Sequence, residues 1–118
     1  MKKFKELKVW QKSMDTVTKV YELSSQLPSS EKFGLISQIN RCAISIPSNI
    51  AEGNGRNSNG ELKQFLGIAL ASSFELETQL LILNRLKMAD VQKIDSVLSD
   101  ITEVQKMLSS FIATINKN

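Results

Sequence analysis

The sequence contains no histidine, which removes imidazole acid–base catalysis, every His-containing triad and most transition-metal sites at once. The usual di-iron bundle is excluded too, because its Glu-x-x-His motifs cannot be written. A single cysteine, Cys42, rules out an internal disulfide. It fits a reducing compartment, and in its apolar surroundings it reads as a buried structural thiol. Two prolines and five glycines are too few for long disordered segments. Long apolar runs are also missing: Leu80 to Leu83 is closed by Asn84 and Arg85, so no membrane span is expected. Glu6 and Lys8 interrupt any apolar leader, so no signal peptide is expected and the cytoplasm is the expected location.

What is present describes one domain over residues 1–118, with 42% apolar and 23% charged residues, ordinary values for a globular chain. Apolar residues recur three and four apart in four stretches, and strand-like alternation is absent. The first stretch runs from about Lys5 to Gln26, with a stripe of Leu7, Trp10, Met14, Val17, Tyr21 (with Val20) and Leu27; Pro28 ends it. Ser29 or Ser30 is placed to cap the second, whose stripe is Leu35, Ile39, Cys42, Ile46 and Ile50. Pro47 lies inside this helix and should kink it, with Ala43 four residues back softening the clash.

Gly53 to Asn59 reads as a loop, and Ser58 with Glu61 forms a capping box for the third helix, which extends to about Lys87. That helix is apolar around much of its circumference, as a central bundle helix or a subunit interface would be. Asp90 begins the fourth helix, which carries Ile94, Leu98, Ile101, Val104, Leu108, Phe111 and Ile115. Four long helices with short connections predict an all-α, antiparallel up-down four-helix bundle with a proline-kinked second helix.

Several motifs resemble one family in order along the chain. They are Phe4-Lys5-Glu6-Leu7-Lys8-Val9-Trp10-Gln11, Tyr21-Glu22-Leu23, Phe33-Gly34-Leu35, and Ser45-Ile46-Pro47-Ser48-Asn49-Ile50-Ala51-Glu52-Gly53 flanked by Arg41 and Arg56. Phe65-Leu66-Gly67-Ile68-Ala69 and Glu75-Leu76-Glu77 follow. Together these resemble the intervening-sequence proteins, small bundles first known from inserts in 23S ribosomal RNA genes. The likeness thins over the last helix, and Ala71 and Leu62 depart from the glycine and aromatic common in the family. The resemblance implies a four-helix bundle that forms ring-like homo-oligomers, pentamers among them. A related branch, the accessory protein of diversity-generating retroelements, binds nucleic acid and a reverse transcriptase and is more basic.

Two candidate binding surfaces stand out. Lys2, Lys3, Lys5, Lys8, Lys12 and Lys19 are opposed only by Glu6 and Asp15 over the same stretch. That is either a phosphate-binding patch or a solvated helix face. Only Phe4 is interleaved with the first lysines, so a base-stacking platform is not evident, and Trp10 reads as core or interface.

Around Pro47, the spacing of Arg41, Ser45, Ser48 and Glu52 puts them on one helical face, with Asn49 beside it and Arg56 beyond. This is either a recognition surface for phosphate or carboxylate, or a structural device in which Ser and Asn side chains serve the disrupted turn and Glu52 pairs with Arg56. Glu75 and Glu77 point to different faces and make a poor acid–base pair.

No enzyme, cofactor or metal site is expected. The expected roles are an oligomeric scaffold for RNA, DNA or a nucleoprotein, or a protein-binding or structural oligomer. A small-molecule pocket on the oligomer axis is a weaker third.

Overall fold

The computed structural model describes residues 3–116 and contains four α-helices: α1 (Lys8–Ser24), α2 (Ser37–Asn54), α3 (Asn59–Arg85) and α4 (Val91–Asn116). No strand forms among the described residues. Early residues of each helix meet late residues of its neighbour. Lys12 reaches Glu103 while Lys19 reaches Ser96; Cys42 meets Glu75, Ser45 meets Ser72, and Gly53 meets Phe65. Ser24 meets Asn40 across α1 and α2. Neighbours are therefore antiparallel, and α4 closes the bundle against α1. A 27-residue helix such as α3 is about 40 Å long, which accounts for most of the 46 Å long axis.

The helix boundaries follow local chemistry. Residues Phe4–Glu6 form a 3₁₀ turn and Leu7 is extended, so α1 starts at Lys8 rather than Lys5. After Pro28, Ser29–Glu31 form a second 3₁₀ turn and Lys32–Ile36 a π turn. Neither Ser29 nor Ser30 therefore caps an α-helix, and α2 begins only at Ser37. The helix is continuous through the buried Pro47.

At α3 the capping box forms as its residues dictate. Ser58 Oγ accepts the Glu61 amide at 3.2 Å, and the hydroxyl lies 3.3 Å from the Glu61 carboxylate. The helix ends in a Schellman motif: Met88 N donates to Leu83 O at 3.1 Å and Lys87 N to Asn84 O at 3.2 Å. Lys87 takes the left-handed position, with φ 55°. Asp90 then opens α4, its carbonyl accepting the Ile94 amide.

The core joins Val20, Leu23, Ile39, Ile46, Ile50, Leu66, Leu76, Leu80, Leu83, Ile94, Ile101 and Leu108, all essentially inaccessible. Full burial of each such side chain contributes roughly 1.5–3 kcal/mol. Among the described helices α3 alone is long and apolar enough to cross a membrane. Here one of its faces supplies the bundle core instead.

In α1 the core face is Val9, Ser13, Thr16, Val20 and Leu23; of the expected stripe Val20 lies on it, and Leu27 is buried just beyond the helix. Trp10 and Val17 are half-buried beside it, and Met14 and Tyr21 are exposed. Ser13 and Thr16 can occupy the core because each hydroxyl bonds its own helix, to Trp10 O at 2.8 Å and Lys12 O at 3.0 Å.

Candidate functional site

The antiparallel arrangement collects the start of α1, the end of α2, the start of α3 and the end of α4 at one end of the bundle. Lys3, Lys5 and Lys8 are exposed there, and Lys106 joins Lys8 along a shallow groove. Arg56 and Lys63 belong to the same end, through the α2–α3 connection. The opposing acids are Glu6, Glu52 and Glu61, so this pole is net positive. Lys2 lies outside the described residues. Near the chain start, Phe4 and Trp10 pack edge to face with centroids 5.3 Å apart, and Gln11 Nε2 donates to Lys5 O at 2.9 Å. These contacts fix the lysine-bearing turn against α1.

Arg56 is engaged on three sides. Its guanidinium lies 3.5 Å from Glu52 and 3.6 Å from Glu61, and 4.8 Å from the Phe65 ring centroid. All three ion-pair partners are substantially exposed, so each pair is worth at most about 1 kcal/mol. The local Glu52–Arg56 pairing at the helix end is present.

Lys12, grouped with the basic patch from sequence, is directed elsewhere. Its ammonium sits 3.2 Å from Asp100 and 3.1 Å from Glu103 on α4. Lys19 joins at 2.9 Å from the second Asp100 oxygen, and donates to Ser96 Oγ at 3.0 Å. Burial pushes the Asp100 carboxyl up, but the hydrogen bonds from Lys19 and Lys12 outweigh it and leave it below the usual carboxylate range. Hydrogen bonds to Glu103 and Asp100 raise the Lys12 ammonium above its ordinary value. The basic stretch of α1 and the acidic α4 thus cancel across their seam. A sequence signal existed: lysines seven apart on α1 face Ser96, Asp100 and Glu103 at helical spacing on α4.

The Pro47 motif divides in two. Asn49 Nδ2 donates to Ser45 O at 2.7 Å and Ser45 Oγ at 2.9 Å. The Ser45 hydroxyl in turn meets Ser72 Oγ on α3 at 2.8 Å. These side chains are partly buried and stitch α2 to α3. Ser48, Arg41 and Glu52 are exposed, and Arg41 makes no salt bridge among the described residues. Gly53 is buried against α3, where an added Cβ would sit 2.8 Å from Phe65 Cβ. Ser45, Pro47, Asn49 and Gly53 thus turn toward the bundle, and Arg41 and Ser48 toward solvent.

Cys42 is half-buried rather than buried, its thiol donating to Glu75 at 3.6 Å. Burial, then the Glu75 charge, pushes the thiol up, away from reactivity. Glu77 instead accepts Gln105 Nε2 at 2.9 Å, so the two glutamates do serve different neighbours. Among the described residues no cluster of His, Cys, Asp or Glu could hold a metal ion.

Among the described residues the ten exposed large apolar side chains fall into three groups. Met14 and Ile44 flank a groove between α1 and α2, floored by Trp10, Val17 and Pro47, and Tyr21 lies further along the same side of α1 beside Ser24 and Asn40. Ile68, Phe74, Leu81 and Ile82 lie on the outward face of α3. Phe33, Leu86 and Val91 sit at the pole opposite the lysines. Sequence periodicity places Met14 and Tyr21 in the core, whereas both are exposed and Met14 borders the groove.

Fold and site together define an all-helical four-helix bundle. The family model of the 23S rRNA-intervening sequence protein matches residues 5–110, and the chain belongs to that family. It is similar to a crystal structure of a protein of unknown function from the S23 ribosomal protein family of Bacteroides thetaiotaomicron. The two share 31% identity over 88% of this chain and 97% of that one, with a TM-score of 0.82. Among curated proteins nothing matches.

Proposed function

We propose that this chain is a non-catalytic, cytoplasmic scaffold that assembles with copies of itself and holds nucleic acid or a nucleoprotein on its basic pole. The observation that supports it is the convergence of Lys3, Lys5, Lys8, Arg56, Lys63 and Lys106 on one end of the bundle. Assembly would multiply a modest charge per chain into a continuous cationic surface. The lone free thiol fits a reducing compartment.

The test is a titration against structured RNA and duplex DNA at several salt concentrations. Phosphate contacts release counterions, so affinity should fall steeply as salt rises. Charge reversal at Lys3, Lys5 and Lys8 should abolish binding, whereas Lys12→Gln should reduce it little, because that ammonium is committed to Asp100 and Glu103. Absence of binding at low salt would retire the nucleic-acid role. The exposed apolar face of α3 supports a second reading, a protein-binding or purely structural oligomer.

A further inference from the structure

We infer that the pole formed by the α1–α2 and α3–α4 connections docks end-on against an anionic lipid bilayer, seating Phe33, Leu86 and Val91 among the headgroups. This role is separate from the nucleic-acid reading and uses the other end of the bundle.

Exposure singles out this pole. Of the ten exposed large apolar side chains among the described residues, the three most open are Phe33 at 91%, Leu86 at 58% and Val91 at 51%. They come from three segments: the π turn Lys32–Ile36, the C-terminal end of α3 and the first residue of α4. The up-down topology brings all three to one end. Phe33 is nearly as open as a free side chain, so its own fold gives it no groove. Projecting apolar tips suit a bilayer, which yields around them, whereas a protein partner must supply a pocket for each. The footprint is the 23 × 20 Å cross-section of the bundle, and no helix need cross the membrane.

Backbone and charge agree with this. Lys87 takes the left-handed conformation just after α3, with φ 55°, where glycine is the ordinary choice. A long side chain kept there against backbone strain points to a use for it. Its ammonium, those of Lys32 and Lys93, and the Arg85 guanidinium make no salt bridge among the described residues. Lys32 stands 5.6 Å from the Phe33 ring centroid, and Arg85 and Lys87 flank Leu86 along the chain. The acids of this end are Glu22, Glu31 and Asp90. Two of them are set back, Glu31 beside Gly34 and Asp90 at the opening of α4. Long cationic stems beside apolar tips match anionic headgroups above acyl chains.

Flotation of the full chain with vesicles tests the docking. Vesicles of equal parts phosphatidylglycerol and phosphatidylcholine should bind it, and phosphatidylcholine alone should not. Phe33→Ser should lower partitioning at least about tenfold, and Lys87→Gly about fivefold, with circular dichroism melting showing both variants folded. Lys87→Gly is the sharper of the two, because it relieves backbone strain: a chain that is no less stable yet binds lipid more weakly separates the surface from the fold. In the double variant Trp10→Phe, Phe33→Trp the single indole should shift its emission to the blue on vesicles. Partitioning unchanged by Phe33→Ser but lost on reversing Lys3 and Lys5 would move the contact to the lysine pole and overturn the inference. Equal binding to neutral vesicles would overturn it as well. No binding at low salt would also overturn it, leaving this pole to a protein partner.

Discussion

Gly53 of α2 lies so close to Phe65 of α3 that a methyl group at Gly53 would stand 2.8 Å from the Phe65 Cβ. The same methyl would meet the Leu62 carbonyl oxygen at 3.2 Å, and backbone cannot swing aside as a side-chain tip can. This contact sets the distance between the two helices at the basic pole.

Gly53→Ala should therefore destabilise the bundle, although alanine is the better helix former by about 1 kcal/mol. Overpacking costs typically 1–3 kcal/mol, so after the helix-propensity gain a net loss of up to about 2 kcal/mol is expected in urea unfolding. Equal or greater stability would show that α2 and α3 separate freely.

Asp100 gives the bundle an acid-sensitive seam. Its carboxyl is held below the ordinary range in the folded state, so its stabilisation is present above the unfolded carboxylate pKa. It is lost as pH falls through the folded value. Asp100→Asn should cost about 2 kcal/mol at neutral pH, and the gap to the unmodified protein should close in strong acid. Unfolding curves measured across the acid range decide this; a gap that persists unchanged at the lowest pH contradicts the assignment.

Lys87 occupies a backbone conformation that costs a residue with a Cβ about 1 kcal/mol or more. Lys87→Gly should raise stability by about 0.5–1 kcal/mol, read as a higher melting temperature with an unchanged helical spectrum. A lower melting temperature would mean the side chain contributes more than the strain removes.

Asn49→Ala removes both bonds to Ser45 and leaves the Ser45–Ser72 contact without its anchor. A loss of about 1–2 kcal/mol is expected. Restoring the amide as Asn49→Gln should recover little, since the longer side chain cannot make the same bonds within its own turn. Full recovery by glutamine would argue against a fixed geometry.

Much of the fold was legible because its punctuation is local. Pro28 ends the first helical region, Ser58 and Glu61 cap α3, and Asp90 opens α4, each acting within a few residues of itself. The face of α1 was not legible. Periodicity identifies a stripe of large apolar residues, and in α1 that stripe borders the groove while Ser13 and Thr16, satisfied by their own backbone, enter the core. The partners of Lys12 were hidden for a related reason: a count of nearby charges cannot see Asp100, which arrives from the last helix. The Glu52–Arg56 pair was visible because it is local. The gathering of Lys106 beside Lys8 appears only once topology brings the chain ends together.

The stitch of Ser45, Asn49 and Ser72 has a mechanical consequence. With Gly53 seated on Phe65 below it, α2 and α3 act as the spine of a book, fixed in register. The opposite edge, where α1 meets α4, is fastened by a buried carboxylate, Asp100, whose partners Lys12 and Lys19 reach water. Thermal breathing should therefore part the pages at that fore-edge first, with amide hydrogens of α1 exchanging ahead of those at the spine, and with the rate set by pH and salt.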